Sequence, residues 1–187
     1  MNNDSDLLAL WEHEEAEIRA RHSRGGAGCG VARLDQVAGK SGMQMFDAML
    51  NGELPFAPIA ETLDFILMHI DKGHAVLQGR PLEKHYNPLG TVHGGWYATL
   101  LDSAVACAVH STLPVGKSYT TLELKLNMLR ALTKKVRLVR AEGRIIHVGG
   151  QVATAEGRLI GPDGKLYAHA TTTCLIFDIG NATQARS

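Results

Sequence analysis

One carboxylate stands where packing alone would not put it. From Trp96 to His110 the only formal charge, with histidines neutral, is Asp102, set among Leu100, Leu101, Ala104, Val105, Ala106 and Ala108. Such a run reads as a helix apolar nearly all the way round, and therefore buried. Taking an ionised carboxylate out of water costs roughly several kcal/mol unless hydrogen bonds or an opposite charge replace its hydration. An acid in that place can serve as general base or nucleophile, or it can be held structurally by a neighbouring hydroxyl or amide. Just ahead of it, Gly94 and Gly95 start the helix without side chains. The unpaired N–H groups of a helix start can hold a carbonyl or a developing oxyanion, although a Gly-Gly pair is also an ordinary tight entry turn.

Spacing limits how these groups combine. His93 and Asp102 are nine residues apart, about 13 Å along a helix and half a turn out of phase. They form no His–Asp dyad within one copy. Small residues (Gly95, Ala98, Thr99, Asp102, Ala106) line one face and let another backbone approach. Two antiparallel copies of the helix, each giving half a site at their interface, would bring amides and carboxylate to one substrate, so a homodimer is expected.

The surrounding elements must position this helix. Residues Asp4 to His22 predict an amphipathic helix, with Leu7, Leu8, Trp11 and Ile18 on one side. The glycine-rich stretch from Arg24 to Gly30 predicts a flexible connection, because it follows no strand and lacks the ending of a phosphate-binding loop. The chain therefore divides into an N-terminal extension and linker, 1–41, expected to pack on an oligomer neighbour, and a main domain, 42–187. In the latter, Met43 to Leu50 predicts a short helix and Pro55 to Pro58 an extended entry. Thr62 to Ile70 and His74 to Arg80 predict a hairpin, and Pro81 to Val92 a loop in which Asn87, ahead of Pro88, is suited to a turn. After the helix, Tyr119 to Leu129 alternates in period two, and Lys135 to His147, Gln151 to Ile160 and Lys165 to Phe177 continue as a meander. A single helix buries all its faces only if a sheet curls round it, so the class is α+β with a curved antiparallel sheet wrapped around one long central helix.

Asn87-Pro88-Leu89-Gly90-Thr91-Val92-His93-Gly94-Gly95, then Asp102, then Thr121 to Asn127, resembles the hotdog-fold acyl-CoA thioesterases of the PaaI-like, phenylacetate-pathway type, over roughly Gly42 to Asp178. The resemblance implies the hotdog fold, dimers with two sites across the interface, and hydrolysis of an acyl-CoA to free acid and CoA. It implies that Gly94 N–H, with Gly95 close by, polarises the thioester carbonyl. Asp102 of the partner subunit would act as general base or nucleophile, Asn87 would orient the water or thioester, and Thr121 would hold the water or the carboxylate. Thr120 is adjacent, and a one-residue slip would exchange the two. His93 is expected to fix the turn rather than move protons. CoA phosphates call for cations near the strand ends, where Arg130, Lys134, Lys135, Arg137, Arg140, Arg144 and His147 stand. Arg130, Lys134, Lys135, His147 and Gly150 are the candidate CoA contacts, although single charges of this kind are mostly solvated strand faces. Phe46, Met49, Leu50, Phe56, Trp96 and Tyr97 are candidates for the acyl pocket.

Lys plus Arg equals Asp plus Glu at 19 each, so no global charge favours nucleic acid or an anionic membrane. Cys29, Cys107 and Cys174 show no ligand or disulfide spacing, and neither a resident cofactor nor a metal is expected. The acidic start is unlike a signal peptide and no apolar run is long enough to span a membrane. A cytoplasmic homotetramer, built as a dimer of dimers, is expected. A non-catalytic acyl-CoA-binding hotdog protein is the alternative. A dehydratase on the same fold is disfavoured, for want of a loop histidine paired with a helix glutamate.

Overall fold

A computed structural model describes residues 3–179; the last residues assigned to the main domain, 180–187, lie outside them. The elements run α1 (Asn3–Gly25), α2 (Leu34–Val37), α3 (Gly42–Leu50), α4 (Pro58–Thr62), β1 (Phe65–Asp71), β2 (His74–Gly79), α5 (Gly94–His110), β3 (Lys117–Met128), β4 (Val139–Val148), β5 (Val152–Ile160) and β6 (Leu166–Asp178). The six strands form one antiparallel sheet in the order β1-β2-β4-β5-β6-β3. It wraps around α5, whose Leu100, Leu101, Ala104, Val105, Ala108 and Val109 are fully buried. This is the α+β hotdog arrangement expected above.

The wrap is possible because side chains are missing where the sheet comes nearest the helix. Gly143 and Gly157 are cross-strand partners on β4 and β5. A Cβ on Gly143 would lie 2.2 Å from the Ala104 carbonyl oxygen, and one on Gly157 would lie 2.8 Å from Val105 Cγ1. The backbone of α5 beds into the shallow trough these two residues leave.

Several expectations are corrected. Helix α1 does not wait for another subunit but packs on the outer face of its own sheet. Trp11 and Ile18 are buried, and Ile18 meets Ile66, Met68 and Val76. Glu15 accepts hydrogen bonds from Gln78 Nε2 at 2.7 Å and Arg19 Nε at 2.7 Å, with Arg80 within 3.4 Å. The physical reason lies in β1, whose Phe65 to Met68 is buried on both faces and so needs a cover. The glycine-rich stretch is likewise tied down: Gly30 N donates to Phe56 O, and Phe56 N to Gly28 O. Thr62 belongs to α4, which Pro58 starts; the strand begins only after Asp64, whose φ is +54°. Lys135 sits in a 3₁₀ turn, Lys134–Val136, and β4 opens at Val139. In β3 a bulge between Thr121 and Glu123 turns Leu122 outward, so the predicted alternation changes phase there. Among the described residues no helix is long and apolar enough to cross a membrane.

Candidate active site

The start of α5 is built by its own cap. His93 takes an extended backbone as N-cap, and its ring Nδ1 accepts a hydrogen bond from Gly95 N at 2.9 Å, while its carbonyl accepts from Trp96 N at 3.0 Å. Gly95 is thereby corrected as an oxyanion donor, because its N–H is already in use. Gly94 N–H meets no acceptor among the described residues. That one amide remains for an incoming oxygen.

The loop before the helix is fixed around this turn. Asn87 Oδ1 accepts from Leu89 N at 2.9 Å and Thr91 N at 3.3 Å, and its Nδ2 donates to Thr91 Oγ1 at 3.0 Å, so the side chain closes the loop. Asn87 still lines a cleft of about 330 Å³ that also includes Gly94, Met128 and Arg130. A second cleft, of about 390 Å³, opens on the other side of the turn and is lined by Lys84, Tyr86, His93, Gly95 and Thr99. Tyr97, read from sequence as a pocket residue, has a further task. Its hydroxyl accepts from Leu132 N at 2.6 Å and donates to Arg130 O at 3.0 Å, pinning residues 130–132 against the helix start. The available signal was a phenol inside an apolar helix, which must find a polar partner when buried.

Asp102 lies eight residues beyond Gly94, about 12 Å along the axis. Its Oδ1 accepts from Thr121 Oγ1 at 3.1 Å; Thr120, one residue earlier on β3, is exposed. Burial pushes the Asp102 carboxyl above the usual range, and the Thr121 hydrogen bond offsets part of that rise. The helix is not closed on every side, as its composition suggested. Gly95 is exposed, and Ala98, Thr99, Asp102 and Ser103 are half-buried in one stripe that the sheet leaves uncovered. Beneath the carboxylate, burial, with the Asp102 charge adding, pushes the Cys107 thiol up to about 12. Burial likewise raises Cys174. Both sulfurs stay protonated at neutral pH and are poor nucleophiles.

The candidate CoA contacts fall into two groups. Arg130 lines the cleft beside Gly94, and Lys134 pairs with Glu83 at 2.6 Å, with exposed Lys135 next to it. His147 lies at the far end of β4 and Gly150 in the turn after it, beyond Gly143, which packs at Ala104 in mid-helix. No single copy brings the two groups together. Arg137 and Arg140 serve α1 instead: Arg137 pairs with Glu12, and Arg140 pairs with Glu14 and lies over the Trp11 ring. Of the acyl-pocket candidates, Trp96 lines the second cleft and Tyr97 the first. Phe46 is in the core, Met49 and Leu50 pack against it, and Phe56 stacks on His22 under α1.

A family model for the thioesterase superfamily matches residues 89–168. The 1,4-dihydroxy-2-naphthoyl-CoA hydrolase of Listeria monocytogenes is 26% identical over 118 residues, which cover 63% of this chain and 94% of that protein. Among solved structures, a phenylacetic acid degradation-related protein of Ralstonia eutropha JMP134 is 36% identical with a TM-score of 0.64, covering 70% of this chain and 98% of that one. The phenylacetic acid degradation protein PaaI of Thermus thermophilus, as a point mutant, is 28% identical with a TM-score of 0.57, covering 63% and 97%.

Proposed function

The chain belongs to the thioesterase superfamily, with the hotdog fold of its PaaI-like members, and from that premise we propose that it hydrolyses an acyl-CoA at a site completed by a second copy of itself. The observation that carries this reading is the uncovered stripe of α5. One end offers the free Gly94 N–H and the middle offers Asp102 held by Thr121, too far apart to act together in one chain. Antiparallel apposition of two such stripes sets the Gly94 amide of one copy near Asp102 of the partner subunit, twice per dimer.

In the reaction, Gly94 N–H donates to the thioester oxygen, and the helix dipole adds modestly to that polarisation. Asp102 of the partner subunit takes a proton from water, whose oxygen attacks the carbonyl carbon. The tetrahedral intermediate collapses, the C–S bond breaks, and CoA leaves as thiolate and is protonated. Direct attack by the carboxylate, through an anhydride that water then opens, uses the same atoms. Asn87 shapes the cleft wall beside Gly94, His93 holds the turn, and Gly95 contributes through that cap. Arg130, Lys134 and Lys135 of one copy, with His147 and Gly150 of the other, face the CoA phosphates. The Listeria relative's name, a CoA-thioester hydrolase, supports the substrate class.

A dimer of dimers is the proposed assembly, formed through the outer sheet face that α1 leaves bare, where Val152 and Leu175 pair across strands. The unpaired thiols fit a reducing cytoplasm. Thiol release measured across a panel of acyl-CoAs tests the activity: release with at least one is expected, and none with any would overturn it. Asp102→Asn should lose turnover while keeping acyl-CoA affinity.

A further inference from the structure

We infer that the tip of the β1–β2 hairpin is a binding site for one divalent transition-metal ion, held by His69, Asp71 and His74. Asp71 and His74 are cross-strand partners at the tip, and His69 sits two residues before Asp71. One ligand atom from each, two imidazole nitrogens and a carboxylate oxygen, lie within 4.8 Å of one another. No other group of three metal-ligating side chains comes so close among the described residues. At zinc–nitrogen distances of about 2.0–2.1 Å, tetrahedral donors are separated by about 3.4 Å. The present spacings start at 2.7 Å, between His69 Nε2 and Asp71 Oδ2, and none exceeds 4.8 Å. Small side-chain rotations therefore suffice.

The backbone beneath is fixed, which keeps the ordering cost of binding low. Gly73 N donates to Ser111 Oγ at 2.8 Å and Ile145 N donates to Gly73 O at 2.9 Å, tying the hairpin tip to the end of α5 and to β4. His74 Nε2 is buried without a hydrogen-bond partner among the described residues. The Arg144 charge opposes a cation, but its side chain is exposed and long enough to turn to solvent, and Glu142 and Asp71 oppose it in turn. Two nitrogens and one oxygen select a d-block ion over Mg²⁺ or Ca²⁺, which take all-oxygen shells. Water would complete the coordination, and the site is independent of the hydrolytic one.

Isothermal titration of Zn²⁺ into the full chain, purified without a polyhistidine tag and stripped with EDTA, tests this. One equivalent per chain is expected, with Mg²⁺ giving no heat. His69→Ala and His74→Ala should each weaken uptake by roughly tenfold or more, while His13→Ala should leave it unchanged. Zn²⁺ should also raise the melting temperature of the parent but not of His69→Ala, an exposed position whose replacement leaves the fold intact. No uptake by the parent, uptake that survives both histidine variants, or Mg²⁺ binding as well as Zn²⁺ would overturn the assignment.

Discussion

As the proposed base, Asp102 would tie activity and stability together through one proton. Burial raises its pKa above the ordinary 3.8, and Thr121 restrains that rise. A base must be ionised, so hydrolysis should fall as pH drops through this raised value, giving an acid limb above the normal aspartate range. Thr121→Val removes the restraining hydrogen bond and should move that limb to higher pH. A limb left in place would detach Thr121 from the carboxylate's chemistry. Stability runs the other way. A carboxyl with a raised folded pKa penalises the native state in full at pH values above that pKa, and the penalty fades as pH falls from there to the unfolded value, below which it is gone. Asp102→Asn should therefore melt higher than the parent near pH 7, with the gap closing near pH 3. At Gly94 the decisive group is a single N–H. Proline fits the first position of a helix, and the preceding His93, at φ −64° and ψ 140°, already has the backbone that proline requires. Gly94→Pro thus deletes that amide and should lower kcat by about 10²–10³-fold. Aspartate and glycines were legible in sequence because they stand out against an apolar helix. The loss of the Gly95 amide to His93 was not, since it depends on how one ring is turned.

Elements were legible where one face is buried and obscured where both are. The alternation in β3 announced a strand, yet the bulge that turns Leu122 outward left no mark in the pattern. In β1 the continuous apolar run signalled burial without saying what covers the outer face, so α1 read as an appendage. Its anchor is polar. Burial alone would raise the pKa of Glu15, but Arg19, Gln78 and Arg80 outweigh that and hold it below the usual range. Glu15→Ala would strip these partners of their common acceptor, and faster amide exchange confined to residues 3–25 is expected, with the sheet unaffected. Uniform acceleration would mean that α1 and the sheet unfold as one unit. Close packing of α5 on the sheet depends on Gly143, where a methyl would fall 2.2 Å from a backbone oxygen. Backbone yields less than a side chain, so Gly143→Ala should destabilise by roughly 3 kcal/mol or more in denaturant unfolding. A change under about 1 kcal/mol, the low end for overpacking, would show that helix and sheet can part without loss.

One copy alone leaves an amide and a carboxylate about 12 Å apart on one helix, and candidate phosphate contacts at opposite ends of the sheet. Both separations close if two α5 stripes meet antiparallel, and that geometry has a consequence a self-contained site does not share. Consider a mixed dimer of one Gly94→Pro chain and one Asp102→Asn chain. Of its two sites, one combines both defects, while the other combines the intact Gly94 amide of the Asp102→Asn chain with the intact Asp102 of the Gly94→Pro chain. Each variant alone should be nearly inactive. Unfolding and refolding an equal mixture, with random pairing, makes half of the dimers mixed, and each regains one working site in two. Activity should return to about a quarter of the parent's per chain, a level far above the 10²–10³-fold loss expected of Gly94→Pro alone. A co-refolded mixture no more active than the mean of its components, with dimers verified by mass, would place amide and carboxylate in the same chain and dissolve the shared site.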